Sequence, residues 1–174
     1  MMHQFSRFSQ ALAIAAIAAV AIPANAMNMG TGVTLTKVAG PYKLVLQLLP
    51  AEPFYTQNQY AKEHPSDGML VVSGATPVAP DDPSHPNHHL IVHVYDAASG
   101  KAVTNATVTI AYSTASGVQK NLPIVEMQAI GKGPQSTHYG NNLNLPDGTY
   151  NVTVTANGNA ATFTVTAQAA KMKM

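Results

Sequence analysis

Histidine and methionine side chains are the residues of this sequence whose types and spacing could bind a metal ion. The pair His88-His89 begins an apolar segment, and Met127 precedes the run Thr137-His138-Tyr139-Gly140-Asn141. Imidazole nitrogen and thioether sulfur suit copper, particularly Cu(I), better than Ca²⁺ or Mg²⁺, which prefer oxygen ligands. The residue types therefore predict a copper-type site in which one histidine of the pair meets a residue distant in sequence.

The spacing of the histidines limits how such a site could form. Apolar residues alternate through the segment 90–94 as the buried side of a strand, which places His89 and His93 together on the opposite side. At ~3.3 Å per residue these two histidines lie ~13 Å apart along the strand and cannot chelate one ion as a pair. The site must therefore be completed from another strand or loop. His138 is the best partner, because it follows the glycine-rich loop 131–134, which would let the backbone approach closely.

Alternation of apolar and polar residues with a period of two dominates the rest of the chain and predicts half-buried strands. The clearest unit is a hairpin at residues 149–166, because Asn157-Gly158 tolerates the positive φ of a tight primed turn. No stretch has the period of a helix. We therefore predict an all-β fold, an immunoglobulin-like antiparallel β-sandwich of about eight to nine strands. The other predicted strands cover residues 42–48, 90–94 and 108–112, with shorter candidates at 33–37, 69–73, 118–127 and 138–145.

Residues 1–26 have the features of a secretory signal peptide, and residues 27–174 are predicted to form one domain. Arg7 stands before an apolar stretch, and Ala24-Asn25-Ala26 fits a cleavage site. Removal of this segment would leave eight lysines against eight Asp and Glu residues, because Arg7 is the only arginine among nine cationic residues. A net charge near zero gives no basis for binding nucleic acid or an anionic membrane. The expected product is a soluble protein of the periplasm or the exterior.

A long connection at residues 50–87 interrupts the strand pattern and is rich in proline. Prolines recur there at every third position, which favours an extended polyproline II conformation with the prolines on one ridge. The same period places Asp82, His85 and His88 on another ridge, although His85 and His88 would stand ~9 Å apart. The connection is predicted to be a stiff crossover between two sheets, and a recognition strip for a partner protein is the alternative. The prolines are Pro77, Pro80, Pro83 and Pro86.

A family resemblance is carried by the segments HHLIVHVYD, VTIAY and EMQAIGKGPQSTHYGNNLNLPDGTYNVTV. Over roughly residues 42–155 the chain resembles the bacterial periplasmic iron-transport protein family, whose members are immunoglobulin-like and accompany high-affinity iron permeases. The resemblance implies a copper site with His89, Met127 and His138 as ligands, and an inner-membrane metal permease as partner. Ile91 replaces the family's carboxylate, and the loss of this hard oxygen ligand favours copper over iron. Further ligand candidates near these positions are His88, His93 and Glu126.

Two functions of different class follow from these observations. The first is a periplasmic metal-binding protein, suited to copper and linked to iron uptake, that acts in metal transport or homeostasis. The second is an exported immunoglobulin-like protein-interaction module without a metal site. An enzyme is not expected, because the sequence has no Gly-x-Ser-x-Gly elbow, no His-Glu-x-x-His, no phosphate-binding glycine loop and no cysteine. Since homodimers are common, a site shared between two copies is also compatible with the sequence.

Overall fold

The computed structural model describes residues 32–79 and 87–168, which fold into two β-sheets with a short helix, α1 (Gln57–Glu63), and a 3₁₀ turn (Pro134–Ser136). Within these ranges no helix is long and apolar enough to cross a membrane. With strands numbered along the chain, the larger sheet has the spatial order β1 (Val33–Ala39), β2 (Tyr42–Pro50), β5 (His88–Asp96), β9 (His138–Leu143), β8 (Val125–Ala129), β4 (Met69–Gly74) and β3 (Phe54–Tyr55). The smaller sheet has the order β11 (Asn159–Ala167), β10 (Gly148–Ala156), β6 (Val108–Thr114) and β7 (Lys120–Leu122).

The two sheets form a sandwich, and the alternation in the sequence decides which side chains lie between them. Leu90, Val92 and Val94 of β5 are buried in one main core together with Val152 and Val154 of β10. The neighbour orders β2-β5-β9-β8 and β11-β10-β6 correspond to the A-B-E-D and G-F-C orders of an immunoglobulin domain. The predicted sandwich is therefore confirmed, and the described residues contain eleven strands where eight or nine were expected.

The hairpin of β10 and β11 forms as the sequence predicts. Asn157 and Gly158 make its turn with φ values of 46° and 81°, the positive values that a primed turn requires. At the start of β10 the Tyr150 hydroxyl donates a 2.9 Å hydrogen bond to the Pro146 carbonyl oxygen. This bond has the geometry of the tyrosine corner of immunoglobulin-like sandwiches, and it fixes the chain where it enters β10.

One predicted strand, residues 118–127, is two strands in the structure. β7 ends at Leu122 in the smaller sheet, and β8 begins at Val125 in the larger one. Pro123 lies between them and has no N–H to donate to a strand ladder, so the chain leaves one sheet here and crosses to the other. The crossing places Met127 in the larger sheet, where it pairs with His138.

The connection after β2 is more regular than the sequence pattern predicts. It contains β3, the helix α1 and β4, and only β4 coincides with a predicted strand. Thr56 begins the helix through a capping box with Gln59, and His64 ends it in the left-handed conformation at φ 47°. The prediction that no helix occurs is wrong here, because a helix of seven residues is too short to show a helical period.

Two predictions fall outside the described residues. The signal peptide at residues 1–26 is one of them. In the proline-rich connection, residues 80–86 are the other, so the polyproline ridge and its position His85 stay predictions.

A second, smaller core covers the outer face of the larger sheet. Its fully buried members are Ile91, Val125 and Met127, from β5 and β8. Residues of the segment between β2 and β5 cover them, which explains why side chains on this outer face are buried at all. The partly buried residues packed against them are Leu49, Phe54, Met69 and Val71. We call this group the second core.

Candidate metal site

Three histidines come together on the outer face of the larger sheet, where β5 and β9 meet. His89 and His93 belong to β5, and His138 is the first residue of the antiparallel neighbour β9. The ring centroid of His138 lies 6.0 Å from that of His89 and 5.0 Å from that of His93. We call these three residues the histidine cluster. His138 joins two histidines that the spacing along one strand keeps apart.

The residues proposed from the sequence as ligands are neighbours in this arrangement. His138 approaches His89 as expected, and His93 is drawn in as well. Met127 pairs with His138 across β8 and β9, and its side chain is buried in the second core. Metal binding by these residues stays a prediction.

Gly140 explains how β9 comes close enough to β5 to form the cluster. It lies opposite Ile91, and a Cβ atom at this position would stand 2.0 Å from the Leu90 carbonyl oxygen. Only glycine fits so close an approach. The glycine-rich loop is predicted to allow close approach of the backbone, but free space lies beside two of its glycines. A Cβ atom at Gly131 or Gly133 would meet no atom within 4 Å, and both residues have positive φ.

Hydrogen bonds fix the orientation of two of the three rings. The His89 Nδ1–H donates to Asn142 Oδ1 at 2.9 Å, and the His138 Nδ1–H donates to the Ser136 carbonyl oxygen at 2.7 Å. Both acceptors require the proton on Nδ1 and leave the lone pair on Nε2. Metal-binding histidines are usually held in this way, with the non-ligating nitrogen donating to a carboxylate, a backbone carbonyl or water.

Asn142 is a reliable acceptor because the rest of its side chain is also hydrogen-bonded. Its Nδ2 donates to the carbonyl oxygens of Glu52 and Val78, each at 2.8 Å, which identifies Oδ1 as the atom facing His89. The neighbouring Asn141 Oδ1 accepts from the Val78 N–H at 3.0 Å. The two buried asparagines therefore hold the covering segment on the sheet. Sequence reasoning missed both as site residues, although an Asn-Asn pair directly after His-Tyr-Gly was a visible signal.

Each ring of the histidine cluster keeps one buried nitrogen without a hydrogen-bond partner. These atoms are His89 Nε2, His93 Nδ1 and His138 Nε2, and in the described part of the chain no other buried side-chain nitrogen or oxygen is unpaired. The third ring is oriented by a 3.3 Å contact between His93 Nε2 and Gln47 Oε1. Leaving a buried polar atom unpaired costs about 1–3 kcal/mol, so three such atoms in one cluster need an explanation.

Burial keeps the cluster uncharged. Together with the proximity of the rings to one another, it lowers the pKa of His89 to about 4 and the pKa of His138 to about 3. Burial also lowers the pKa of His93. The nearby Thr137 backbone offsets part of this effect, but it does not form a hydrogen bond with Nδ1. At neutral pH all three rings are neutral, and the unpaired Nε2 atoms of His89 and His138 carry lone pairs.

We expect acid to destabilise the protein between pH 6.5 and about pH 3 through these rings. Below pH 6.5 the unfolded chain binds protons that His89 and His138 exclude in the folded state, so protonation favours unfolding. At pH 5 each of these two rings should cost about 2 kcal/mol relative to pH 7. Denaturant unfolding at both pH values measures the loss, and His138→Gln should recover about half of it. Equal free energies of unfolding at the two pH values would contradict buried, neutral rings.

His88, a further ligand candidate, lies away from the cluster. It alternates with His89 along β5 and belongs to the same side of the strand as the core residue Leu90. Both of its ring nitrogens are hydrogen-bonded, one to the Asn87 side chain and the other to the Gln168 carbonyl oxygen. The structure therefore gives His88 a role at the end of the sandwich and not in the cluster.

Glu126 is also removed from the cluster by alternation. It pairs with Tyr139, so it lies on the opposite side of β8 from Met127. Its carboxylate accepts hydrogen bonds from the Ser73 hydroxyl at 2.8 Å and the Asn105 N–H at 3.3 Å. The bond from Ser73 joins β4 to β8 where their pairing is irregular, and the register slip that would have brought Glu126 to the site does not occur.

The separations of two ring pairs, His89–His138 and His93–His138, are compatible with a bound ion, although the rings would have to reorient to hold one. Among the residues of the two described ranges, no three or more His, Cys, Asp or Glu side chains are arranged to hold a metal as they stand. An ion with nitrogen bonds of ~2.0–2.1 Å would lie ~3 Å from each ring centroid, which is compatible with rings 5.0 and 6.0 Å apart. The unpaired nitrogens would have to turn toward a common point, and Phe54, whose ring meets that of His89 edge-on at 5.6 Å, would have to adjust with them.

Comparisons with known proteins add no assignment to this geometry. No protein-family model matches the chain, and neither a curated protein nor a solved structure matches it. The function of the chain is therefore inferred from the histidine cluster.

Proposed function

We propose that this chain is an exported, periplasmic metal-binding protein that holds copper at the histidine cluster and acts in metal transport or homeostasis. The observation that carries the proposal is the set of three buried, unpaired imidazole nitrogens gathered around His138. A cation bound to His138 and to either His89 or His93 would remove part of an energetic cost that no neighbouring protein group offsets.

Copper suits the available side chains better than iron does. The candidate ligands are the imidazoles of the cluster and the thioether of Met127, which pairs with His138. Imidazole and thioether ligands are typical of copper sites, whereas non-haem iron sites commonly include a carboxylate. The carboxylate of Glu126 is hydrogen-bonded on the other side of β8, so it does not supply that ligand.

A periplasmic location agrees with the signal-peptide features of residues 1–26. The resemblance to iron-transport proteins suggests an inner-membrane metal permease as the partner that receives or supplies the ion. In this role the metal is cargo, and the protein needs no catalytic group. A homodimer that shares one ion would differ from a monomer in the ratio of metal to chain.

An anaerobic Cu(I) competition titration, with Cu(II) in parallel, tests the proposal on the protein from Met27 onward. We expect one ion per chain, and His138→Ala should bind at least about tenfold more weakly, a difference of about 1.4 kcal/mol. The matched control is His88→Ala, which removes a buried histidine next to His89 whose two ring nitrogens are already hydrogen-bonded. If the wild type and both variants bind weakly and alike, the proposal is wrong, and a protein-interaction module becomes the better assignment.

Met127 is tested by Met127→Leu and not by Met127→Ala. Its side chain is 0 % exposed, so truncation to Ala should cost about 2–5 kcal/mol of stability whether or not the sulfur binds metal. Leucine keeps the volume and removes the thioether at a cost below about 1.5 kcal/mol. We expect Met127→Leu to weaken Cu(I) binding while denaturant unfolding changes little. An unchanged affinity would remove Met127 from the ligand set.

A further inference from the structure

We infer that the histidine cluster selects monovalent soft cations, Cu(I) and Ag(I), and excludes divalent ions such as Zn(II) and Cu(II). The inference rests on the proposed function, and it specifies the charge of the ion that the site accepts. It follows from three properties of the site: its ligands are uncharged, its surroundings are apolar, and it offers few ligands.

The first property is the absence of negative charge. His89 and His138 have their protons on Nδ1, fixed by Asn142 and Ser136, so each would contribute a neutral nitrogen. The thioether of Met127 is neutral as well. The carboxylate of Glu126 lies on the opposite side of β8 from Met127 and is hydrogen-bonded to Ser73 and Asn105, so it does not add negative charge to this ligand set.

The second property is the apolar surrounding. His89 and His138 are almost completely buried, and the second core continues from them through Ile91 and Met127. Phe54 covers His89 from the connecting segment. The cost of transferring an ion from water into such a medium rises with the square of its charge, so a divalent ion meets about four times the penalty of a monovalent one. Without a carboxylate nothing in the cluster offsets that difference.

The third property is the small number of ligands. Zinc sites are almost always four-coordinate and tetrahedral. Cu(I) and Ag(I) are stable with two or three ligands, which the rings around His138 can supply. Within residues 32–79 and 87–168 no three His, Cys, Asp or Glu side chains are arranged to hold one ion together, and the ring separations allow His138 to share an ion with His89 or with His93. The geometry therefore favours ions that are stable with two ligands.

The test is a set of competition titrations of the wild-type protein with Ag(I), Cu(I), Cu(II) and Zn(II), repeated on His138→Ala. We expect Ag(I) and Cu(I) to bind at least about 100-fold more tightly than Zn(II), and Cu(I) more tightly than Cu(II). Cu(II) is the strictest comparison, because it normally forms the strongest complexes of the divalent series. Zn(II) or Cu(II) could instead bind as tightly as Ag(I), with that binding abolished by His138→Ala. This result would show that the proposed charge selectivity is wrong and would support the metal site. If no ion binds, both are wrong.

A second pair of variants tests the electrostatic cause. Ile91 lies between His89 and His93 on the same side of β5 and is 2 % exposed. Ile91→Glu would add a carboxylate beside the cluster, and Ile91→Gln adds the same shape without the charge. We expect Zn(II) to bind Ile91→Glu at least about tenfold more tightly than Ile91→Gln. Equal Zn(II) affinities would overturn the explanation by charge, and if Ile91→Glu does not fold, the wild-type titrations decide alone.

Discussion

Replacing Gly140 by Ala is expected to destabilise the protein by about 3 kcal/mol or more and to abolish metal binding. The added Cβ would stand 2.0 Å from the Leu90 carbonyl oxygen and 2.8 Å from the Ile91 Cα. Both are backbone atoms of the neighbouring strand, so no side chain can move aside to relieve the clash. The strands β5 and β9 must separate, and His138 then leaves His89. Denaturant unfolding and a Cu(I) titration of the same sample measure the two effects.

Gly131→Ala is the matched control for this substitution. A Cβ atom at Gly131 meets no atom within 4 Å, and its φ of +74° is the only obstacle. The left-handed conformation costs an Ala residue about 1–2 kcal/mol, and the loop lies outside the strand ladder. We therefore expect a smaller loss of stability and unchanged metal affinity. Equal losses in the two variants would show that the close approach at Gly140 does not assemble the cluster.

Replacing Asn142 by Leu is expected to cost about 3–5 kcal/mol of stability and about 10–100-fold in Cu(I) affinity. The side chain of Asn142 bonds both the N–H and the carbonyl oxygen of Glu52, the Val78 carbonyl oxygen, and His89 Nδ1. Leucine is of similar size and makes none of these bonds, so buried polar groups lose their partner. The covering segment should loosen, and His89 should lose the acceptor that fixes its tautomer.

Asn151→Leu provides the comparison, because Asn151 is exposed on the outer side of β10. Substitutions at such positions usually change the free energy of unfolding by less than about 0.5 kcal/mol. Hydrogen exchange of the covering segment adds a third measurement, and faster exchange is expected in Asn142→Leu alone. A stability change in Asn142→Leu no larger than that in Asn151→Leu would contradict the role of Asn142 in holding the segment and the ring.

Much of the fold is predictable from the sequence because alternation reports burial directly. The apolar residues of segment 90–94 have to face the main core, which leaves His89 and His93 on the other face of β5. The approach of His138 to His89 could be expected from the same logic, since a site cannot form along one strand alone. The hairpin at Asn157-Gly158 follows from turn chemistry.

The details that decide the site are less accessible from the sequence. Alternation describes one strand and not its neighbour, so it does not show that His93 lies nearer to His138 than His89 does. Gly140 acts through a backbone contact that no residue pattern encodes. Asn142 holds a segment that is distant in sequence, and α1 is too short to have a period. The contacts of His93, Gly140 and Asn142 depend on packing between segments, which is why sequence reasoning missed them.

The most direct test of the central claim is anomalous diffraction from a crystal of the silver-loaded protein. We predict one peak within bonding distance of His138 Nε2 and of at least one of the other unpaired nitrogens, His89 Nε2 or His93 Nδ1. The same soak of His138→Ala crystals should show no peak at this position. Silver found only at sites outside the cluster, with the three nitrogens of the cluster still unpaired, would contradict the account.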